Sequence, residues 1–120
     1  MATAAKTLTQ IAKRGDLKNG TMKAFQAGGK DVLLAMIGDR YYAAARYCPH
    51  MGGDLSQGFV TGTIITCPRH ASKFDLTDGR VVRWTDWTGI KASVSKMFKP
   101  PRPLHIYAVK VQGDNILVEI

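Results

Sequence analysis

The chain has 120 residues, 45% hydrophobic and 22% charged. That suits one globular domain with one real core, and argues against disorder, fibres and separate cofactor-binding and catalytic halves. Seventeen basic and nine acidic side chains leave a formal charge of +8. The excess is spread without a run of five like charges, so attraction to acidic partners follows, but no nucleic-acid arm or groove-reading motif does. The longest apolar run, Val32 to Ile37, is too short to span a bilayer, and the first twenty residues lack the apolar stretch of a secretory leader. Two cysteines, Cys48 and Cys67, cannot make a disulfide scaffold; left as thiols, they suit a reducing, cytoplasmic setting.

In chain order, short apolar runs alternate with turn signals, the pattern of an all-β chain. Thr21 to Ala27 and Asp31 to Ile37 flank Gly28-Gly29, a two-residue hairpin, and Ile37 meets Arg40 to Ala45 across Gly38-Asp39. Thr63 to Thr66 is rich in β-branched residues. Phe74 to Leu76 and Arg80 to Val82 are joined through Thr77-Asp78-Gly79. Ile106 to Val111 and Ile116 to Ile120 flank Gly113-Asp114. One segment departs: Ile90, Val94, Met97 and Phe98 follow a helical period, Thr88 can cap it and Pro100-Pro101 end it, so a short helix is predicted over about 88–98. Trp84 and Trp87 read as core aromatics. His105, alternating with Leu104 and Ile106, reads as a surface strand residue. The fold predicted is a small antiparallel β-sandwich or barrel with one helical insertion.

The chemistry concentrates in two short stretches. Cys48-Pro49-His50 is followed, after sixteen residues, by Cys67-Pro68-Arg69-His70, so both cysteines and two of the three histidines fall into C-x-H and C-x-x-H pairs. Prolines stiffen both loops, and Gly52-Gly53 lets the first double back. Soft thiolates with imidazoles suit iron–sulfur chemistry or zinc. Structural zinc usually takes its cysteines together and its histidines together, whereas here each loop offers one of each, an order suited to a binuclear centre with unlike ends. A Cys/His nucleophile–base pair built on Cys67 is the enzymatic alternative.

Cys48-Pro49-His50-Met51-Gly52-Gly53-Asp54-Leu55 and Cys67-Pro68-Arg69-His70-Ala71-Ser72-Lys73-Phe74-Asp75 resemble the two ligand boxes of Rieske [2Fe–2S] proteins, most closely the soluble Rieske-type ferredoxins, and the resemblance extends from about Leu8 to Ile120. It implies a single domain over 1–120, with a cluster-binding subdomain of two loops over about 46–80 on a β base, and one [2Fe–2S] cluster per subunit. Cys48 and Cys67 would hold one iron, and His50 and His70 the other. Respiratory Rieske proteins carry a further cysteine in each box, where this chain has Gly53 and Arg69. Backbone donors to the sulfurs are expected around Gly52-Gly53 and Ala71-Ser72. Ser72 stands where high-potential relatives place a sulfide-bonding serine, and Phe74 where they place a sulfur-bonding tyrosine. One donor kept and one absent implies a potential between about −150 and +300 mV.

The function implied is one-electron carriage from a reductase to a terminal oxygenase, with no catalysis by the chain itself, no membrane and no nucleic acid. The docking surfaces of the partners are expected to be acidic. Arg69 would steer such a partner or be merely solvated, while Met51, Leu55 and Pro68 would form an apolar collar at the histidine edge or simply pack the loops. The alternatives are a Rieske carrier or redox sensor in an anaerobic or respiratory route, and a zinc-stabilised interaction module.

Overall fold

A computed structural model describes residues 8–49, 52–69, 71–84 and 102–120. The predicted helix over 88–98 and Trp87 lie outside them. The strands are β1 (Leu8–Lys13), β2 (Thr21–Ala27), β3 (Lys30–Ile37), β4 (Arg40–Ala45), β5 (Phe59–Thr61), β6 (Ile64–Thr66), β7 (Lys73–Asp75), β8 (Val81–Arg83), β9 (Ile106–Tyr107), β10 (Val109–Gln112) and β11 (Asn115–Glu119). They form three antiparallel sheets, ordered β1-β11-β10, β2-β3-β4-β9 and β5-β6-β7-β8. One 3-10 turn, Leu55–Gln57, is the only helical element among the described residues.

The middle sheet organises the rest because β3 is buried on both faces. Its run Val32-Leu33-Leu34-Ala35 is at most 1% exposed, and period-2 alternation sends neighbours to opposite sides. Leu33 and Ala35 join a core with Ile65, Phe74, Leu76, Trp84, Leu104 and both cysteines. Val32 and Leu34 join a second core with Ala12, Ala43, Ile116 and Val118. Truncating Leu33 or Leu34 to alanine would cost about 2–5 kcal/mol, and each change would damage a different core. The hairpin Gly28-Gly29, with φ of 57° and 77°, holds the β2–β3 register at Ala27↔Lys30 in the left-handed region that glycine enters at low cost.

Several predicted boundaries shift. Ile106 to Val111 is two strands, because the chain changes sheets at Ala108: β9 pairs with β4 and β10 with β11. The hairpin predicted as Phe74–Leu76 with Arg80–Val82 is instead Lys73–Asp75 with Val81–Arg83. Its register slips by one residue, since Lys73 pairs with Arg83 but Phe74 with Val81, which makes Val82 a bulge. The strands β1 and β5 appear where the sequence reading had none. Trp84 is buried at 3% exposure, as predicted. His105 is exposed, just before β9, with its ring edge-on to Tyr107 at 4.6 Å.

Candidate metal centre

Two loops leave the strands toward one end of the first core, and both close in the same way. In the first, Cys48 N–H donates to the Gly53 carbonyl at 2.8 Å, and in the second Cys67 N–H donates to the Ser72 carbonyl at 2.8 Å. Each bond spans five residues, and in each loop the fourth residue after the cysteine has positive φ: Gly52 at 71° and Ala71 at 53°. The second loop is the tip of the β6–β7 hairpin, just beyond the Thr66↔Lys73 pair. The first is pinched at its base by a Tyr47↔Asp54 bridge and by Leu55 N–H donating to the Arg46 carbonyl at 2.9 Å.

The loops touch. A Cβ placed on Gly53 would lie 2.6 Å from Cys67 Sγ and 3.3 Å from Arg69 Cβ, so glycine is there for close approach. The positions where respiratory Rieske proteins carry their extra cysteines are thus neighbours here without a bridge, about as near as the two Cβ atoms of a disulfide. Cys48 and Cys67 are each 3% exposed and belong to the core that contains Leu55, Phe74 and Trp84. Phe74, fully buried, meets Trp84 edge-on at 6.4 Å. It fills space beneath the loops and brings no hydrogen-bond donor.

A charged staple flanks the first loop. Arg46 donates to both oxygens of Asp54, Nε to Oδ1 at 3.1 Å and Nη2 to Oδ2 at 2.8 Å. Ser56 adds its N–H at 3.0 Å and its hydroxyl at 2.6 Å to Oδ1. The Arg46 hydrogen bond, helped by Ser56 and opposed by partial burial, holds the Asp54 carboxyl down at about 2. The second loop has other ties: the Ser72 hydroxyl donates to the Trp84 carbonyl, and Arg83 Nε donates to the Ala71 carbonyl at 3.1 Å.

Several sequence expectations change. The Ser72 hydroxyl has the Trp84 carbonyl as a partner, which the sequence did not signal. Of the stretches Gly52-Gly53 and Ala71-Ser72, around which donors to the sulfurs were expected, the Gly52 N–H donates to the Cys48 carbonyl at 2.9 Å. Leu55 is not part of an apolar collar: it is fully buried in the core, while Pro68 is exposed. Met51, His50 and His70 lie outside the described residues. Arg69 is exposed, with its aliphatic stem against Gly53. The staple of Arg46, Asp54 and Ser56 was missed; Arg46 and Asp54 at the two edges of the first box were its signal.

The sequence profile of the Rieske [2Fe-2S] domain family matches residues 7–93. The chain belongs to that family. Its cofactor is a [2Fe–2S] cluster, which decides between the iron–sulfur and zinc readings. Two buried thiols on touching loops suit the sulfur-bound end of a Rieske centre. Among curated proteins the chain is similar to the ferredoxin component of biphenyl 2,3-dioxygenase from Rhodococcus jostii (strain RHA1), 28% identical over 94% of this chain and 92% of that protein. Among solved structures it is similar to the ferredoxin of carbazole 1,9a-dioxygenase from Nocardioides aromaticivorans IC177, with TM-score 0.76 and 29% identity over 94% of this chain and 97% of that one. It also shares the fold, at TM-score 0.73 and 23% identity, of a chain in a complex of reduced oxygenase and oxidised ferredoxin from carbazole 1,9a-dioxygenase, covering 92% of this chain and 99% of that one. No described helix is long and apolar enough to cross a membrane.

Proposed function

We propose that this chain is a cytoplasmic one-electron carrier that takes an electron from a reductase and hands it to a terminal oxygenase, without catalysing the oxygenation itself. In this reading residues 46–80 form the cluster-binding part of a single domain. The thiolates of Cys48 and Cys67 hold one iron, and the imidazoles of His50 and His70 hold the other. When bound, the cluster supplies a single reversible electron, accepted more readily than by a four-thiolate centre because two of its ligands are neutral. The residues of the chain bind and shield it. Gly53 lets the loops close on Cys67, Leu55 and Phe74 keep water from the sulfur end, and Ser72 and Arg83 fix the second loop.

The observation that carries this reading is the pair of buried cysteines on two touching, similarly closed loops in a chain of the Rieske family. The full-length match to ferredoxin components of dioxygenases supports the partner assignment. The decisive experiment is anaerobic purification followed by metal and acid-labile sulfide analysis. About two iron and two sulfide per chain are expected, with an electron paramagnetic resonance signal on reduction that His50→Cys or His70→Cys alters while lowering the potential. Zinc without sulfide would overturn the cofactor and carrier role together. Unaltered spectra in either histidine variant would remove that residue from the ligand set.

A further inference from the structure

The sheet β5-β6-β7-β8 has an inner and an outer face, and the strand register sorts its residues between them. Val60, Ile65, Phe74 and Val81 lie opposite one another along the strands and pack into the first core. The adjacent row, Phe59–Thr66–Lys73–Arg83, lies on the other face, on the rung directly below Cys67; Phe59 and Arg83 at its ends are exposed, Lys73 is half-buried and Thr66 is buried. Residues two apart on a regular strand share a face, so Arg83 would follow Val81 inward. The bulge at Val82 turns it outward instead and brings its Nε to the Ala71 carbonyl, inside the second ligand loop.

This row is costly for the folded chain and well suited to a partner. Lys73 and Arg83 stand directly opposite across the strands, a like-charge arrangement that opposes sheet formation. Among the described residues no carboxylate pairs with either, although the fold matches Arg46 with Asp31 and Asp54, and Arg80 with Asp75. Asp75, two residues on from Lys73, is buried and occupied by Thr77 and Arg80. In the same row, with Thr66 between it and Lys73, stands Phe59, 59% exposed, the most exposed large apolar side chain among the described residues. Arg69, exposed in the second ligand box, adds a cationic group at the loop. An exposed aromatic ring and an exposed arginine on one face are residue types enriched in binding interfaces.

We propose that Phe59, Lys73 and Arg83, with Arg69 at the loop, form the docking face for a carboxylate-bearing surface of the redox partner, placed where docking brings that partner against the second ligand loop. The proposal rests on the electron-carrier reading and names the chemistry of the surface that the carrier meets. It fits the formal +8 of the chain but is more specific. Charge removed from this row must matter more than equal charge removed elsewhere.

The test uses reduced holoprotein mixed in a stopped-flow instrument with an anionic oxidant, ferricyanide, or a cationic one, hexaammineruthenium(III). Both are run across a range of salt, with and without deca-glutamate as a carboxylate competitor. The variants are Lys73→Gln, Lys73→Gln/Arg83→Gln and a control, Lys13→Gln/Lys110→Gln, whose exposed lysines lie on β1 and β10. The double variant is expected to slow ferricyanide on the order of threefold to tenfold at low salt, to speed the cationic oxidant, and to lose protection by deca-glutamate. Lys73→Gln, which leaves the Arg83–Ala71 bond intact, should show the same trend in smaller measure, and the control should change little. Equal effects of the control and test pairs, or no protection of the parent protein by deca-glutamate, would overturn the docking face. Absence of a reducible cluster in the parent would instead overturn the carrier reading beneath it.

Discussion

In the first ligand loop the fourth residue after the cysteine is Gly52, at φ 71°; in the second it is Ala71, at φ 53°, although both loops close with the same five-residue hydrogen bond. The first loop is anchored by charge, through Arg46, Asp54 and Ser56 at its base. The second is anchored by hydrogen bonds from one hydroxyl and one guanidinium to main-chain carbonyls, Ser72 to Trp84 and Arg83 to Ala71. A shared backbone plan thus fixes where each cysteine stands, and different side chains hold each loop in place. The first loop should accordingly respond to pH, and the second to the loss of a buried hydrogen bond. Both should respond to anything that separates them.

The strongest way to break the comparison is Gly53→Ala. Its Cβ would meet Cys67 Sγ at 2.6 Å, so one loop would have to move off the other. Cluster content should fall on the order of tenfold or more, and visible absorbance per chain measures it directly. A variant retaining full cluster content would show that the contact between the loops is dispensable.

Ser72→Ala comes next. The Ser72 side chain is fully buried, and its loss leaves the Trp84 carbonyl without that donor, a cost of about 1–3 kcal/mol in urea unfolding of the holoprotein. The potential should hardly change if the hydroxyl keeps the Trp84 carbonyl as its acceptor. A drop of about 60 mV, equivalent to one good hydrogen bond to the reduced state, would show that the serine serves the cluster after all.

These two positions also mark what was legible in the sequence. Cys48, Cys67 and Gly53 stand out by spacing and type, because ligand geometry demands particular residues at particular offsets; Ser72 stands out only through the resemblance to the Rieske boxes. The double-faced strand β3 and its Gly28-Gly29 turn were legible too, since a buried apolar run and a left-handed turn each leave a local pattern. The direction of the Ser72 hydroxyl was not, because its acceptor lies twelve residues on and is a main-chain carbonyl, which has no sequence signature. Strand β1 was missed because its partner is β11, at the other end of the chain. Strand β5 was missed because three residues with an exposed phenylalanine carry too little alternation. The shifted β7–β8 boundaries have the same origin as the outward turn of Arg83, a bulge that periodicity cannot register.

Asp54→Asn sharpens the contrast through pH. The folded protein holds this carboxyl at about 2, well below the usual carboxylate value of about 4, so the unfolded chain binds its proton first as the pH falls. The stabilisation is complete above about pH 4 and is lost between about pH 4 and 2. The shift alone corresponds to about 2 kcal/mol, trimmed toward 1 kcal/mol because the side chains of the pair are still a quarter exposed. Urea titrations of parent and variant should differ by that amount at pH 6 and converge near pH 2. A constant difference across that range would mean that the staple acts by shape and not by charge.

The smallest effect probes the shared backbone itself. At Gly52 an added Cβ meets nothing within 4 Å among the described residues, so Gly52→Ala tests conformation without a clash with them. Left-handed geometry costs an ordinary residue about 1–2 kcal/mol, while the less flexible unfolded chain returns about 0.4–1 kcal/mol, leaving a net loss near 1 kcal/mol. Ala71→Gly runs the same terms in reverse: relief of the strain now held at φ 53° against a more flexible unfolded chain, for a net gain of about the same size or less. Opposite signs in the two variants are therefore expected if both loops require the left-handed residue. If Ala71→Gly instead destabilised the holoprotein, the methyl group of Ala71 would have to contribute packing that outweighs its strain, and the loops would share their outline without sharing the balance of forces that holds it.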